Sequence, residues 1–232
     1  GGEIGEVGHK NSTVEELHAF MQGYNRTLDG DVPGISKISV QTGTSHGGVV
    51  LPDGTLAQVK VDFDTLEQLS QAARDSYGMG GAVQHGASTL PANAFSKFPA
   101  IGTVEIHLAT NFQNMVFDLL PEATVKEAYD YVHANLKGEW KQGQTEEQFI
   151  YSARKKVIGP MKKAWWDLAD ETQESIGTAL ENQFAFLFEQ LNAAHLAGHQ
   201  TVALQDLEVA VVAGLGQHAL GDHVVGHRRP HL

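Results

Sequence analysis

Short apolar runs alternate along the chain with longer stretches in which apolar residues recur every three or four positions. The short runs predict strands at 3–5, 38–42, 82–84 and 102–109. The longer patterns predict amphipathic helices. Val14, Leu17 and Met21 mark the first, and Leu66, Leu69, Ala72 and Ala73 mark a second that runs to Tyr77. Ser12-Thr13-Val14-Glu15 has the form of a capping box, and Asp62 or Asp64 caps the second helix before Gly78-Met79-Gly80-Gly81 stops it. A short helix is expected over 91–98, and another begins at Asn111 directly behind the fourth strand. Beyond Thr124 the pattern is mainly helical. Val125, Ala128, Tyr129, Val132 and Leu136 share one face, and two more helices are expected over 148–168, broken at Gly159-Pro160, and over 176–191. This alternation of strand, loop and helix predicts an α/β fold of parallel strands with crossover helices.

Composition narrows the classes. Against 16 Lys and Arg stand 28 Asp and Glu, a formal net charge of −12 over 232 residues. Such a balance argues against nucleic acid and anionic membrane as partners. No apolar run approaches the roughly 18 residues that span a bilayer. Cysteine is absent, so any metal must be held by His, Asp or Glu, and the composition suits a reducing cytoplasm. The chain opens on Gly1-Gly2-Glu3 without an initiator Met or signal peptide, from which a processed or truncated polypeptide is expected. Composition shifts after Asn192. The last 40 residues hold six of the 12 His and no aromatic Phe, Trp or Tyr. Residues 1–192 are therefore expected to form the folded part, and 193–232 a separate tail. Arg154-Lys155-Lys156 and Lys162-Lys163 read as a solvated basic face. Phe184, Phe186, Leu187, Phe188 and Leu191 read as packing residues, in the core or at a contact between subunits.

Two segments share a design: Ser45-His46-Gly47-Gly48 and Gln84-His85-Gly86-Ala87-Ser88 each set His-Gly just beyond a strand's C-terminal end. In parallel α/β folds that rim is where ligands bind. A neutral imidazole is a good zinc ligand, and the neighbouring Gly lets backbone amides approach an anion. Glu3, also at a strand end, can add a carboxylate. At the fourth strand's end, His107-Leu108-Ala109-Thr110 leads into a helix, whose N-terminus with the Thr110 and Ser88 hydroxyls makes a phosphate cradle.

Four segments, Glu3-Ile4-Gly5-Glu6-Val7-Gly8, Gly43-Thr44-Ser45-His46-Gly47, Val83-Gln84-His85-Gly86-Ala87-Ser88 and Gly102-Thr103-Val104-Glu105-Ile106-His107-Leu108-Ala109-Thr110, occur in an order that resembles the class II, zinc-dependent fructose-bisphosphate aldolases and the related ketose-bisphosphate aldolases. The resemblance covers about residues 1–190. It implies a TIM-type (β/α)8 barrel, of which this chain carries the last four βα units and C-terminal helices. It places His46 and His85 on the family's zinc ligands and Glu3 on a carboxylate ligand for a second or alternative cation position, divalent or monovalent. Gly47, Gly86, Ala87 and Ser88 fall on the segments that hold the phosphate and dihydroxyacetone end of the substrate. His107, Leu108, Ala109 and Thr110 fall on the last-strand segment that completes the pocket.

The implied reaction is reversible cleavage of a ketose bisphosphate, fructose 1,6-bisphosphate foremost, to dihydroxyacetone phosphate and glyceraldehyde 3-phosphate. The implied cofactor is Zn2+. The partners are the phosphorylated ketose, dihydroxyacetone phosphate and further copies of the chain, as a homodimer or higher homo-oligomer. Three departures stand out. The family's earlier His-rich motif, with a further zinc ligand and the catalytic Asp, has no counterpart here. His107 stands where the family usually carries Asn, and Val7-Gly8-His9-Lys10 lacks the family's acidic pair. Two other readings follow from these departures: a half-barrel that binds phosphosugar without turnover, and a structural subunit that assembles through its long helices.

Overall fold

A computed structural model describes residues 1–6, 10–30, 32–44, 50–53, 55–57 and 60–193. The expected ligands His46 and Gly47, and the expected tail beyond Ala193, lie outside the described residues. Four parallel strands, β1 (Gly2–Glu3), β2 (Ile38–Val40), β3 (Ala82–Gln84) and β4 (Glu105–Ile106), form one sheet in the order β1-β2-β3-β4. Their register aligns Glu3 with Ser39, Ser39 with Val83, and Val83 with Glu105. Helices α1 (Val14–Thr27) and α2 (Phe63–Tyr77) connect the first three strands. A 3-10 turn at Ala92–Ala94 and the short α3 (Lys97–Ala100) link β3 to β4, where one helix was expected over 91–98. Sequence order equal to spatial order, with helical crossovers, is the α/β alternation expected from the pattern.

The two faces of the sheet separate by strand periodicity. Ile38, Val40, Ala82 and Ile106 join Leu66, Leu69 and Ala73 of α2 and Leu17 and Met21 of α1 in one buried apolar cluster. The alternate positions, Lys37, Ser39 and Gln41 on β2 and Glu105 and His107 on β4, are polar and belong to the other face. β2 is shorter than the expected 38–42. Past Val40 the Gln41 amide goes to Ser12 Oγ (2.9 Å) and the Thr42 hydroxyl to Gln84 Oε1 (2.7 Å), so side chains take over from the ladder.

The cap of α1 is displaced by one residue from expectation. Thr13, not Ser12, is the N-cap: its Oγ1 accepts from Glu16 N (3.2 Å) while the Glu16 carboxylate accepts from Thr13 N (3.0 Å). Ser12 is buried and already engaged, donating to Ile4 O and accepting from Gln41 N. Thr13→Ala is therefore expected to cost about 1 kcal/mol in unfolding free energy, the usual worth of an N-cap hydroxyl. A urea titration checks this, and an unchanged midpoint would contradict the assignment. Asp62 caps α2 as expected, accepting from Thr65 N (3.0 Å), and Gly78 ends it in the left-handed region (φ 64°).

Beneath the sheet, at the strands' N-terminal ends, Arg74 of α2 holds two connecting loops together. Its Nη1 donates to Gly102 O (2.6 Å) and Gly80 O (3.3 Å), and Ser70 Oγ donates to Gly102 O (2.8 Å) while accepting from Ala82 N (2.9 Å). Gly102 has φ +70°, and a Cβ there would stand 2.6 Å from Arg74 Nη2, so no other residue fits without moving the guanidinium.

Helix α4 (Thr110–Leu119) begins one residue earlier than expected, and α5 (Glu122–Asn135) follows at once. The helix expected over 148–168 is divided into α6 (Glu146–Ala153), a 3-10 turn and α7 (Lys162–Trp166), because Pro160 offers no amide and constrains Gly159. Helix α8 (Asp170–Gln190) starts six residues before the expected 176, with Asp170 and Glu171 favourably placed in its first turn. It packs on α4 through stacked Phe112 and Phe184 (4.8 Å), and Leu187 and Leu191 are buried, whereas Phe188 remains 39% exposed. Phe149, Val132, Ala128 and Phe117 build a second apolar cluster among α4 to α7. Arg154 corrects the reading of a solvated basic face. Its guanidinium lies 4.6 Å from the centroids of both Phe117 and Tyr151 and donates to Asn114 Oδ1 (2.8 Å), so it serves packing. Among the described residues no helix is long and apolar enough to cross a membrane.

Candidate functional site

The rim formed by the strands' C-terminal ends brings together several of the expected residues. His85 follows β3, and its carbonyl accepts from Thr44 Oγ1 (2.7 Å) and from Gln84 Nε2. Gln84 is fully buried; it also donates to Thr44 Oγ1 (3.1 Å) and accepts from Thr42 Oγ1. This polar network joins the ends of β2 and β3 and fixes the backbone from which the imidazole projects. Gly86 then adopts φ +70°, turning the chain, and Ala87 is fully buried beneath it. Ser88 Oγ accepts from Ala109 N (2.8 Å), tying this loop to the end of β4.

His107 lies beside His85, with ring centroids 4.2 Å apart and planes inclined by 52°. Leu108 is buried. Thr110 is the first residue of α4, and Gln113 N is the first amide to reach back, to Ala109 O (3.1 Å). The amides of Thr110, Asn111 and Phe112 thus have no intrahelical acceptor, as at any helix start. A cavity of about 310 Å³ opens next to them, with Ser88, Thr89, Asn111 and Gln183 as its polar lining and Phe95 and Phe186 among its apolar walls.

Beneath His107 lies a group that the sequence reading did not assign. Glu105 is 5% exposed, and each of its carboxylate oxygens has a partner: Oε2 accepts from Lys37 Nζ, and Oε1 pairs with His107 Nε2. Burial pushes the Glu105 carboxyl up, but the hydrogen bonds from Lys37 and His107 outweigh it and hold the group below the usual carboxylate range. A depressed value contributes stability that is complete above the ordinary Glu range, about pH 4.3, and is lost as pH falls through the folded-state value. Unfolding free energy measured by urea between pH 6 and pH 3 is expected to fall more steeply for the parent than for Glu105→Gln. Equal slopes would remove Glu105 from the pH dependence. The signal for this group was the alternation in Lys37-Ile38-Ser39-Val40-Gln41 and Val104-Glu105-Ile106-His107-Leu108.

Of the expected metal ligands, Glu3 and His85 are among the described residues, and they stand apart. Glu3 is exposed, and its Oε1 accepts from Gln41 Nε2 (3.3 Å). Since β2 lies between β1 and β3, Glu3 is two strand spacings, roughly 10 Å, from the His85 strand. Among the described residues no three His, Asp or Glu side chains come together to hold a metal ion. The described donors therefore do not by themselves fit a zinc site, which would require His46.

Comparison with known proteins gives one family. The model of the family described as "Fructose-bisphosphate aldolase class-II" matches residues 2–179. No curated protein matches the chain. Among solved structures it is similar to a probable tagatose 6 phosphate kinase from Sinorhizobium meliloti 1021, at 16% identity and a TM-score of 0.48, over 84% of this chain and 54% of that one. The chain thus spans about half the length of that protein.

Proposed function

We propose that this chain, which belongs to the class II fructose-bisphosphate aldolase family, forms the metal- and phosphate-binding part of an aldolase that cleaves a ketose bisphosphate, fructose 1,6-bisphosphate foremost, to dihydroxyacetone phosphate and glyceraldehyde 3-phosphate. The observation that carries the reading is the family match over 2–179, within which His85, Ser88, His107 and Thr110 gather on one rim. In this reading residues 1–192 are the last four βα units of a (β/α)8 barrel with its helical extension, and residues 193–232 are a separate tail. The enzyme acts as a homodimer or higher homo-oligomer in the cytoplasm.

His46 and His85 are the proposed zinc ligands, and Glu3 serves a second or alternative cation position, which suits its distance from His85. Zinc, when bound, supplies a Lewis acid for the oxygens of dihydroxyacetone phosphate. The chain's own residues bind and orient. Gly47, Gly86, Ala87 and Ser88, with the α4 start at Ala109 and Thr110, receive the phosphate, where the amides of Thr110, Asn111 and Phe112, which have no intrahelical acceptor, and the helix dipole favour an anion. Leu108, buried behind the rim, holds that backbone in place, and His107 faces the sugar end. This positioning supplies part of the barrier reduction.

The test is cleavage of fructose 1,6-bisphosphate by the purified chain, before and after EDTA and after re-addition of zinc. Activity lost to the chelator and restored by zinc is the expected result. A folded chain that binds phosphosugar without turnover would instead be a binding half-barrel, and one that binds neither would be a structural subunit.

A further inference from the structure

The row Lys37, Glu105, His107 and His85 crosses three neighbouring strands on the polar face of the sheet. Lys37 carries an ammonium that can only donate, and Glu105 a carboxylate that can only accept. His107 Nε2 meets Glu105 Oε1, so the proton of a neutral imidazole must sit on Nε2, and Nδ1 becomes the ring's acceptor. The carboxylate cannot turn away, because its other oxygen is held by Lys37 and the side chain is 5% exposed.

We propose that Glu105, anchored by Lys37, is a positioning residue that fixes the tautomer and orientation of His107, so that the rim beside His85 presents an imidazole acceptor to a substrate hydroxyl. The proposal deepens the aldolase reading and rests on it for the identity of the ligand, but not for the tautomer. Lys37 gives it a sharp consequence. In Glu105→Gln the single amide oxygen is claimed by the ammonium of Lys37, which can accept nothing. The amide NH2 then faces His107, Nε2 must accept, and the proton moves to Nδ1.

The experiment is 15N NMR of the imidazoles at alkaline pH in the full chain, with His107 assigned by its loss in His107→Asn, together with calorimetric titration of dihydroxyacetone phosphate. The parent is expected to show protonated Nε2, and Glu105→Gln the inverted form with affinity weakened about 10- to 100-fold, the range typical of lost outer-sphere orienting partners. A residue of merely structural importance would alter the melting temperature and leave the tautomer unchanged. Protonated Nδ1 in the parent, or an unchanged tautomer and affinity in Glu105→Gln, overturns the proposal. If Glu105→Gln does not fold, the parent spectrum decides. Should the tautomer invert while neither protein binds dihydroxyacetone phosphate, the positioning role stands and the aldolase reading fails.

Discussion

Lys37→Met is expected to lower the unfolding free energy by about 1–3 kcal/mol, the usual consequence of leaving a buried acceptor without its donor, because Glu105 is buried while the Lys37 side chain is 23% exposed. Glu105 would keep only His107, and with its own side chain 5% exposed its freed oxygen would have little access to water as a replacement donor. The wild-type pair need contribute little net stability for this to hold, because the loss comes from stranding a charge rather than from forfeiting an attraction. The double variant Lys37→Met with Glu105→Gln is the internal control. It removes the charge with its partner, and most of the loss should be recovered. Urea unfolding at neutral pH measures both. A loss under about 1 kcal/mol for the single variant, the range of exposed pairs, would mean that Glu105 reaches solvent.

The second large effect is expected at the rim. On the proposed aldolase reading, His85→Ala should abolish zinc retention and reduce cleavage of fructose 1,6-bisphosphate by more than about 100-fold, since even partners of metal ligands are worth 10- to 100-fold. His46→Ala should do the same. The His85 side chain is only half-buried, and its backbone carbonyl stays bonded to Thr44 and Gln84 whatever the side chain, so the fold should survive. Glu3→Ala, two strands away, should leave zinc bound at the first position. Zinc content per chain and steady-state turnover are the measurements. Full occupancy and turnover in His85→Ala would remove that residue from the site.

Much of the fold is legible in the sequence, and what is not has physical causes. The strand–helix alternation, the Gly78 stop and the break at Gly159-Pro160 are local, and local chemistry settles them, whereas it left the cap of α2 between Asp62 and Asp64. At the start of α1, Ser12 and Thr13 are adjacent hydroxyls, each with a Glu three residues on, and nothing local separates them. The choice falls to Gln41, 29 residues away, which takes the Ser12 hydroxyl out of competition. Lys37 and Glu105 are 68 residues apart, and their meeting depends on strand register across β3, which no window along the chain reports. Arg154 looked like part of a solvated face because its neighbours in sequence are Lys155 and Lys156, whereas Phe117 and Asn114 arrive from another helix. The two His-Gly pairs were visible because each follows its own short apolar run in the sequence. Whether the set closes around a metal is a property of strand order.

The Arg74 contact beneath the sheet has a consequence for how such a molecule can change. It clasps the loops before β3 and β4 from the side opposite the rim, using two carbonyls, a serine hydroxyl and a glycine that leaves no room for a side chain. Coherence of the strands is thereby secured at one end while the ligand-facing loops occupy the other. Rim residues can therefore be exchanged without renegotiating how the strands are held, whereas a change at Arg74 acts on the hold itself, whatever the rim binds. Innovation and inheritance are allotted to opposite poles of the same four strands.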